Sequence, residues 1–252
     1  MNTIPIKPLT RTGAILQVAF VLGALFAWVL GSSTLGAGIL GASPNMLVAH
    51  VALTGLVGLV AVFVATSGDE SRVVSLGLSK PTDKFGTAVA TLVATGGTYI
   101  MSAVFTVAAM ALFGGGLDIV AKARAMETLG ALPLWSLVPV AVFAGFNEEI
   151  LFRGFLLSRF RVLLGESRRG LVLGVILSSA LFSAGHGYQG MIGLVQTFVA
   201  GACFATVATV RKSLWPSIIA HAAIDVFGLV ALHYVKPLLE KMLEQQGIPA
   251  PH

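Results

Sequence analysis

Residues 134–157 read LWSLVPVAVFAGFNEEILFRGFLL, an apolar run long enough to cross a bilayer that carries two carboxylates and an arginine. An Asp, Arg or Lys at the centre of a membrane helix costs about 2.5–3.5 kcal/mol on insertion scales. Such groups are kept at that depth where they pair, line a wet cavity or take part in a reaction. Glu148, Glu149 and Arg153 therefore mark the most informative part of the chain.

The composition is that of a membrane protein. The 252 residues are 56% apolar and only 11% charged, with a mean hydropathy of +0.90, whereas soluble domains carry about 25% charged residues. The net charge of +5 comes from basic residues in short segments between apolar runs, which is typical of membrane topology and argues against nucleic-acid binding. The single cysteine, Cys203, excludes an intramolecular disulfide and a cysteine metal cluster.

Apolar runs of about 20 residues can cross the hydrocarbon core as helices, and the alternation of a membrane β-barrel is missing. We therefore predict an all-α, polytopic transmembrane bundle of about seven to eight helices. The third run is expected to tilt or break near Gly96-Gly97, and the short turn Gly187–Gly190 leaves the number of spans open. The predicted spans are 13–31, 46–66, 86–113, 134–157, 170–187, 191–209 and 214–235.

Three parts follow from this pattern. Residues 1–133 hold N-terminal transmembrane helices and connecting loops, residues 134–235 hold a helical core that contains the glutamate–arginine motif, and residues 236–252 form an amphipathic or flexible tail. The first apolar run is longer than a signal-peptide core and is predicted to be retained as a span.

Lysine and arginine are unevenly distributed between the two sides of the predicted bundle. With a cytoplasmic N-terminus, eleven lie in inner segments and four in outer ones, which predicts a multi-pass protein of the cell membrane in that orientation. The inner residues are Lys7, Arg11, Arg72, Lys80, Lys84, Arg159, Arg161, Arg168, Arg169, Arg211 and Lys212, and the outer ones are Lys122, Arg124, Lys236 and Lys241.

Further polar residues in later spans lie at comparable depths. A helical rise of about 1.5 Å per residue places Glu148 roughly 16 Å, His221 roughly 14 Å and Asp225 roughly 20 Å below the cytoplasmic face. The same rise gives His186 a depth of roughly 25 Å, unless its helix tilts or starts late. These residues are therefore candidates for one common site.

Within the motif, Glu149 and Arg153 stand four residues apart, so they share a helix face and are expected to pair. Glu148 is left to face a cavity, where a desolvated carboxylate can act as a general base. Each feature alone has a structural explanation: a Glu–Arg pair that locks helices, an interfacial His186, or a local bond between His221 and Asp225. Their joint occurrence favours a functional site.

The other histidines carry no such pattern. His50 has no nearby polar partner in sequence and is expected to be structural. His233, beside Tyr234, is expected to lie at the membrane interface, and His252 falls in the tail.

Three ordered motifs resemble those of the CPBP intramembrane proteases, a family that includes the type II CAAX prenyl endopeptidases and bacterial proteins linked to bacteriocin processing and self-immunity. The motifs are Glu148-Glu149-x-x-x-Arg153, Phe182-x-x-x-His186 and His221-x-x-x-Asp225, within about residues 134–230. The resemblance implies a helical membrane protein that cleaves peptide bonds of membrane-associated, prenylated or precursor peptides. The compact chain with Asp225 looks more like a bacterial member.

In the family's glutamate-protease account, Glu148 activates water with help from His186, while His221 and the residue at position 225 stabilise the oxyanion. Glu149, Arg153 and Phe182 support that arrangement. Asp225 stands where the prenyl endopeptidases have asparagine. This difference affects the expected role of the residue, because an ionised carboxylate repels an oxyanion. Three roles remain open for it: a protonated donor, a partner that orients His221, or a metal ligand.

No cofactor is predicted to be required, and zinc is left open with Glu148, His186, His221 and Asp225 as its ligands. Two other functions also stay open. One is a non-enzymatic immunity or scaffold protein with the same fold, and the other is a proton-coupled transporter, which the missing inverted repeat disfavours. The substrate and the oligomeric state are not determined by the sequence.

Overall fold

The computed structural model describes residues 9–34, 44–69, 71–113 and 133–245, which form helices and short connections. Over these residues the predicted all-α class is confirmed. Almost all of the predicted connection 114–133, as well as Lys7 and His252, lies outside the described residues. The helices are α1 (Arg11–Thr34), α2 (Pro44–Ala65), α3 (Arg72–Ser75), α4 (Lys84–Phe113), α5 (Leu134–Glu149), a π-helix (Ile150–Leu156), α6 (Leu157–Leu164), α7 (Arg168–Ala184), a 3-10 turn (Gly187–Gln189), α8 (Gly190–Arg211) and α9 (Trp215–Gln245).

Within the described residues, five helical stretches are long and apolar enough to cross a membrane. They are Arg11–Ser32, Val48–Ala65, Lys84–Leu112, Leu134–Leu164 and Gly187–Arg211. One shorter apolar helix is found among the described residues, the first part of α9, Trp215–Ala231. The 17-residue α7 lies where the fifth span was predicted. The chain is thus a multi-pass membrane protein with a helical bundle fold.

Helices α4 and α9 are both continuous. The predicted break near Gly96-Gly97 is wrong, because α4 is one continuous helix. A Cβ at either glycine would meet nothing within 4 Å, and inside a bilayer the backbone keeps its hydrogen bonds when the helix continues. The tail expected to begin at Lys236-Pro237 is also continuous with the preceding helix, since α9 runs through this dipeptide to Gln245.

Charged residues connect several helices at one end of the bundle. Arg159, in the first turn of α6, lies 3.1 Å from an Asp69 carboxylate oxygen after α2, and its Nε donates to Gln17 of α1 at 2.8 Å. Arg211, at the end of α8, lies 2.8 Å from Asp83, just before α4. Segments that the charge pattern assigns to one side of the membrane therefore lie together.

Asp83 caps the start of α4, and its substitution provides a test of the charged contacts at this end of the bundle. Its Oδ1 accepts from the Gly86 N–H at 2.8 Å, and the hydrogen bond from Arg211, followed by that of Gly86, lowers the pKa of Asp83. A carboxylate with a lowered pKa stabilises the fold above its unfolded pKa of about 3.9 and loses that contribution as the pH falls. We expect Asp83→Asn to lower Tm slightly at about pH 7, and the difference from the wild type to be smaller at about pH 3.

Thermal unfolding of the detergent-solubilised protein at both pH values measures this. The control is Asp69→Asn, because Asp69 lies at the same end of the bundle but pairs with a different arginine, Arg159. A Tm difference for Asp83→Asn that is the same at both pH values contradicts the assignment.

The π-helix directly follows the two adjacent glutamates. Its Phe155 and Leu156 are fully buried and belong to a core cluster with Val62 of α2 and Ile218 of α9. π-helical segments are rare and occur frequently at functional sites. This buried wide turn joins α5 to α6 and fixes the helix that carries Glu148 and Glu149 against its neighbours.

Candidate active site

Helices α5 and α9 approach closely beside the motif. A Cβ at Gly145 would lie 2.9 Å from the backbone nitrogen of Ala222 and 3.1 Å from its Cα. Only glycine leaves room for this contact between the two backbones. Glu149 lies one helical turn after Gly145, and His221 directly precedes Ala222, so the close approach brings these two side chains together.

His221 is surrounded by three carboxylates. Its Nδ1 lies 2.8 Å from Glu149 Oε1, while its Nε2 lies 3.6 Å from Glu148 Oε2 and 3.5 Å from Asp225 Oδ2. The imidazole is buried, and Nδ1 donates to Glu149 because a carboxylate oxygen only accepts. Residues from two separate helices thus meet at a single ring.

The predicted pair between Glu149 and Arg153 is confirmed. Arg153 Nη1 donates to Glu149 Oε1 at 2.8 Å, and both side chains are fully buried. Arg153 Nε, Arg153 Nη2 and Glu149 Oε2 have no hydrogen-bond partner among the described residues. The guanidinium carbon lies 4.3 Å from the centre of the Phe182 ring and 5.5 Å from that of Phe204, and these faces attract the cation.

The two glutamates differ in their access to the surface. The Glu148 side chain is 25% exposed and that of Asp225 is 32% exposed, whereas the side chain of Glu149 is 0% exposed. Glu148 and Asp225 are therefore available to a molecule that enters the site, while Glu149 is enclosed by protein. This separation agrees with the expected division between a free and a paired glutamate.

His186 lies in the turn after α7 and packs against Phe182, whose ring also packs against His221. Its Nδ1 donates to the Phe182 carbonyl at 2.9 Å, because a carbonyl oxygen only accepts, which leaves Nε2 free. The Phe182 ring centre lies 4.7 Å from that of His186 and 5.7 Å from that of His221. Within the described residues no hydrogen bond joins His186 directly to Glu148.

The remaining histidine predictions are simpler. His50 stacks on Trp28 with ring centres 6.4 Å apart, and His233 packs edge-on against Tyr234. Neither contact involves the group around His221.

In the part of the chain that the structure describes, no three His, Cys, Asp or Glu side chains are arranged to hold a metal ion. Of the four residues predicted as zinc ligands, Glu148 and Asp225 both face His221 Nε2, and His186 packs against the Phe182 ring.

The sequence reasoning missed two aromatic residues. Phe204 of α8 stacks on His221 with ring centres 4.9 Å apart and an interplanar angle of 25°. Tyr188 stacks on His186 at 6.0 Å. Phe204 belongs to an uninterrupted apolar run, where an aromatic residue is expected to be core, so no local signal distinguished it.

The fold and the site define a helical membrane protein with a carboxylate–histidine site between its spans. Residues 130–227 match the family model of type II CAAX prenyl endopeptidase, Rce1-like proteins, and this segment contains every site residue from Glu148 to Asp225. No curated protein and no solved structure matches the chain. The family match over these residues supports the resemblance to the CPBP intramembrane proteases.

Proposed function

We propose that the protein is an intramembrane endopeptidase that hydrolyses peptide bonds with a water molecule activated by Glu148. Its substrates are membrane-associated peptides or proteins, and the family match favours prenylated peptides and membrane-bound precursors. The observation that carries the proposal is the contact of Glu148, Glu149 and Asp225 with the single buried imidazole of His221.

In the proposed reaction, Glu148 takes a proton from water while the water oxygen adds to the peptide carbonyl carbon. The carbonyl π pair moves to oxygen and forms an oxyanion. When the carbonyl re-forms, the C–N bond breaks and the proton held by Glu148 passes to the leaving nitrogen. Water is the only co-reactant, and Glu148 ends the cycle ready to accept another proton.

The two histidines have different roles in this reaction. The free Nε2 of His186 accepts a hydrogen bond from the same water and so holds it near Glu148. His221 donates from Nε2 to the oxyanion while Nδ1 is held by Glu149, which Arg153 holds in turn. Glu149 and Arg153 are therefore positioning residues.

Asp225 is assigned to orient His221 rather than to contact the oxyanion. Its Oδ2 lies 3.5 Å from His221 Nε2, on the same helix. A carboxylate in direct contact with the oxyanion would repel it, whereas one beside the imidazole favours the N–H form that donates. This is the role compatible with an aspartate at this position.

The proposal places the protein in the cell membrane with its N-terminus in the cytoplasm, and the lipid bilayer is its surrounding partner. The basic segments grouped near Arg159 and Arg211 support this orientation, because such residues are enriched on the cytoplasmic side. No cofactor is part of the proposed reaction, and nucleic acid is not a partner.

The experiment uses the purified full chain in liposomes with a library of membrane-anchored peptides, prenylated and unprenylated, and mass spectrometry of the products. We expect cleavage at defined bonds that persists with a chelator. Loss of cleavage with the chelator and its return with zinc would assign the water to a metal instead. A folded wild type that cleaves no peptide would contradict the proposal and favour the non-enzymatic scaffold.

The close approach at Gly145 yields a further prediction. In Gly145→Ala the new Cβ collides with the Ala222 backbone, so α5 and α9 must separate and the Glu149–His221 contact lengthens. We expect at least about a 10-fold fall in cleavage rate, since displacements of about 1 Å in such sites cost about 10²-fold. The assay is cleavage of the best library peptide, and equal rates for the variant and the wild type would contradict the prediction.

The matched control is Gly97→Ala in α4. A Cβ there meets nothing within 4 Å, and alanine is a better helix former than glycine. We expect this variant to cleave at the wild-type rate.

A further inference from the structure

The turn between α7 and α8 carries a second polar ring beside His186. The ring of Tyr188 stacks on that of His186 with centres 6.0 Å apart and an interplanar angle of 28°. His186 packs against Phe182, and Phe182 packs against His221. A continuous series of rings thus links Tyr188 to the imidazole at the centre of the site.

The hydroxyl of Tyr188 is oriented by its neighbour. The buried Gln189 donates from Nε2 to Tyr188 Oη at 3.3 Å. This bond uses a lone pair of the oxygen, so the phenol keeps its own proton as a donor. Among the described residues, no acceptor for that proton lies within hydrogen-bonding distance.

A glycine makes this arrangement feasible. A Cβ at Gly193 would collide with the Cβ of Gln189 and lie 3.1 Å from its Oε1. The bare backbone of α8 at Gly193 therefore accommodates the amide that holds the phenol.

The phenol of Tyr188 also lies in the electric field of the carboxylates at the site. The charges of Glu148 and Asp225, the two carboxylates that are open to an entering molecule, act on the phenol through space. A neutral O–H donor beside the His186 ring supplies what the carboxylates cannot, because each of them repels an oxyanion when it is ionised.

We propose that Tyr188 is a catalytic residue that donates its phenolic proton in a hydrogen bond to the oxyanion, beside His221. This inference rests on the proposed function. The phenol keeps its proton throughout: it donates while the oxyanion exists and is released when the carbonyl re-forms. The donor that an asparagine would have supplied at position 225 thus comes from a different helix turn.

Tyr188→Phe removes only the hydroxyl and keeps the ring that stacks on His186. An oxyanion donor acts in the transition state alone, so we expect kcat to fall by about 10²–10³-fold with KM unchanged. The chain has three tyrosines, and the other two provide matched controls. Tyr99 of α4 also interacts with Asp225, whereas Tyr234 packs on His233, and both Tyr→Phe variants should keep the wild-type kcat.

The combined Tyr99→Phe/Tyr234→Phe chain retains Tyr188 as its only tyrosine. Growth on 3-fluorotyrosine then changes the acidity of this one phenol, and kcat should respond while Tm does not. The fluorotyrosine experiment also tests the role of Tyr188 if the Tyr188→Phe variant fails to fold.

The two claims can fail separately. If Glu148→Gln is inactive while Tyr188→Phe keeps the wild-type kcat, the inference on Tyr188 is overturned and the proposed function stands. If Glu148→Gln cleaves at the wild-type rate, both the proposed function and the inference on Tyr188 are overturned. A kcat that is indifferent to fluorination also overturns the role of Tyr188.

Discussion

Glu148→Gln is expected to lower kcat by about 10²–10⁴-fold, the contribution typical of a positioned general base. The amide has nearly the shape of the carboxylate but cannot take the proton from water. Glu148 lies 3.6 Å from His221 Nε2 without the short hydrogen bond that Glu149 makes, and its side chain is partly exposed. The substitution should therefore leave the packing, the insertion and Tm nearly unchanged, and initial cleavage rates with Tm measure both effects.

The matched control for this substitution is Glu166→Gln. Glu166 is an exposed glutamate outside the spans that pairs with Arg161 at 2.6 Å. We expect no change in its kcat. Cleavage by Glu148→Gln at the wild-type rate would show that Glu148 is not the general base.

Arg153→Met should produce the largest loss of stability. The side chains of Arg153 and Glu149 are both fully buried, and removal of one partner of a buried ion pair costs about 3–5 kcal/mol because the other charge is left uncompensated. Glu149 would then retain only His221 as a partner. The free energy of unfolding in mixed micelles measures this loss.

Two variants isolate the buried charge as the cause. Arg161→Met breaks a pair whose side chains are 34% and 66% exposed, and such surface pairs contribute less than about 1 kcal/mol. The double variant Glu149→Gln/Arg153→Met removes both buried charges and should recover part of the stability lost in Arg153→Met. A single Arg153→Met variant as stable as Arg161→Met would show that the pair contributes no more than a surface pair.

Features that depend on local spacing could be predicted from the sequence. Apolar length located the spans, because a bilayer demands about 20 apolar residues per helix. The four-residue spacing predicted that Glu149 pairs with Arg153 and that His221 and Asp225 neighbour one another, as helical periodicity requires. The family match, which covers 130–227, agrees with the part of the chain where the motifs were found.

Features that depend on other helices could not be predicted. Helical periodicity indicates which residues share a face, but it does not specify which of two adjacent glutamates another helix will reach. In the structure Glu149 makes the short bond to His221, while it also pairs with Arg153. The stack of Phe204 on His221 likewise depends on how α8 packs beside α9.

The backbone also departed from expectation in ways that composition does not encode. The π-helix after Glu149 could not be predicted, since its residues fit an ordinary apolar helix equally well. Gly96-Gly97 suggested a break, yet the intrinsic cost of glycine in a helix, about 1 kcal/mol, is smaller than the cost of unsatisfied backbone groups in lipid.

The central claim is that Glu148 and His186 act on the same water molecule. A double-mutant cycle tests it, with kcat measured for the wild type, Glu148→Gln, His186→Ala and the double variant on one fluorogenic peptide. If both residues serve one water, the double variant should be about as slow as the slower single variant, because groups that act as a unit are strongly non-additive. Losses that multiply in the double variant would show that the two residues act independently and would contradict the account.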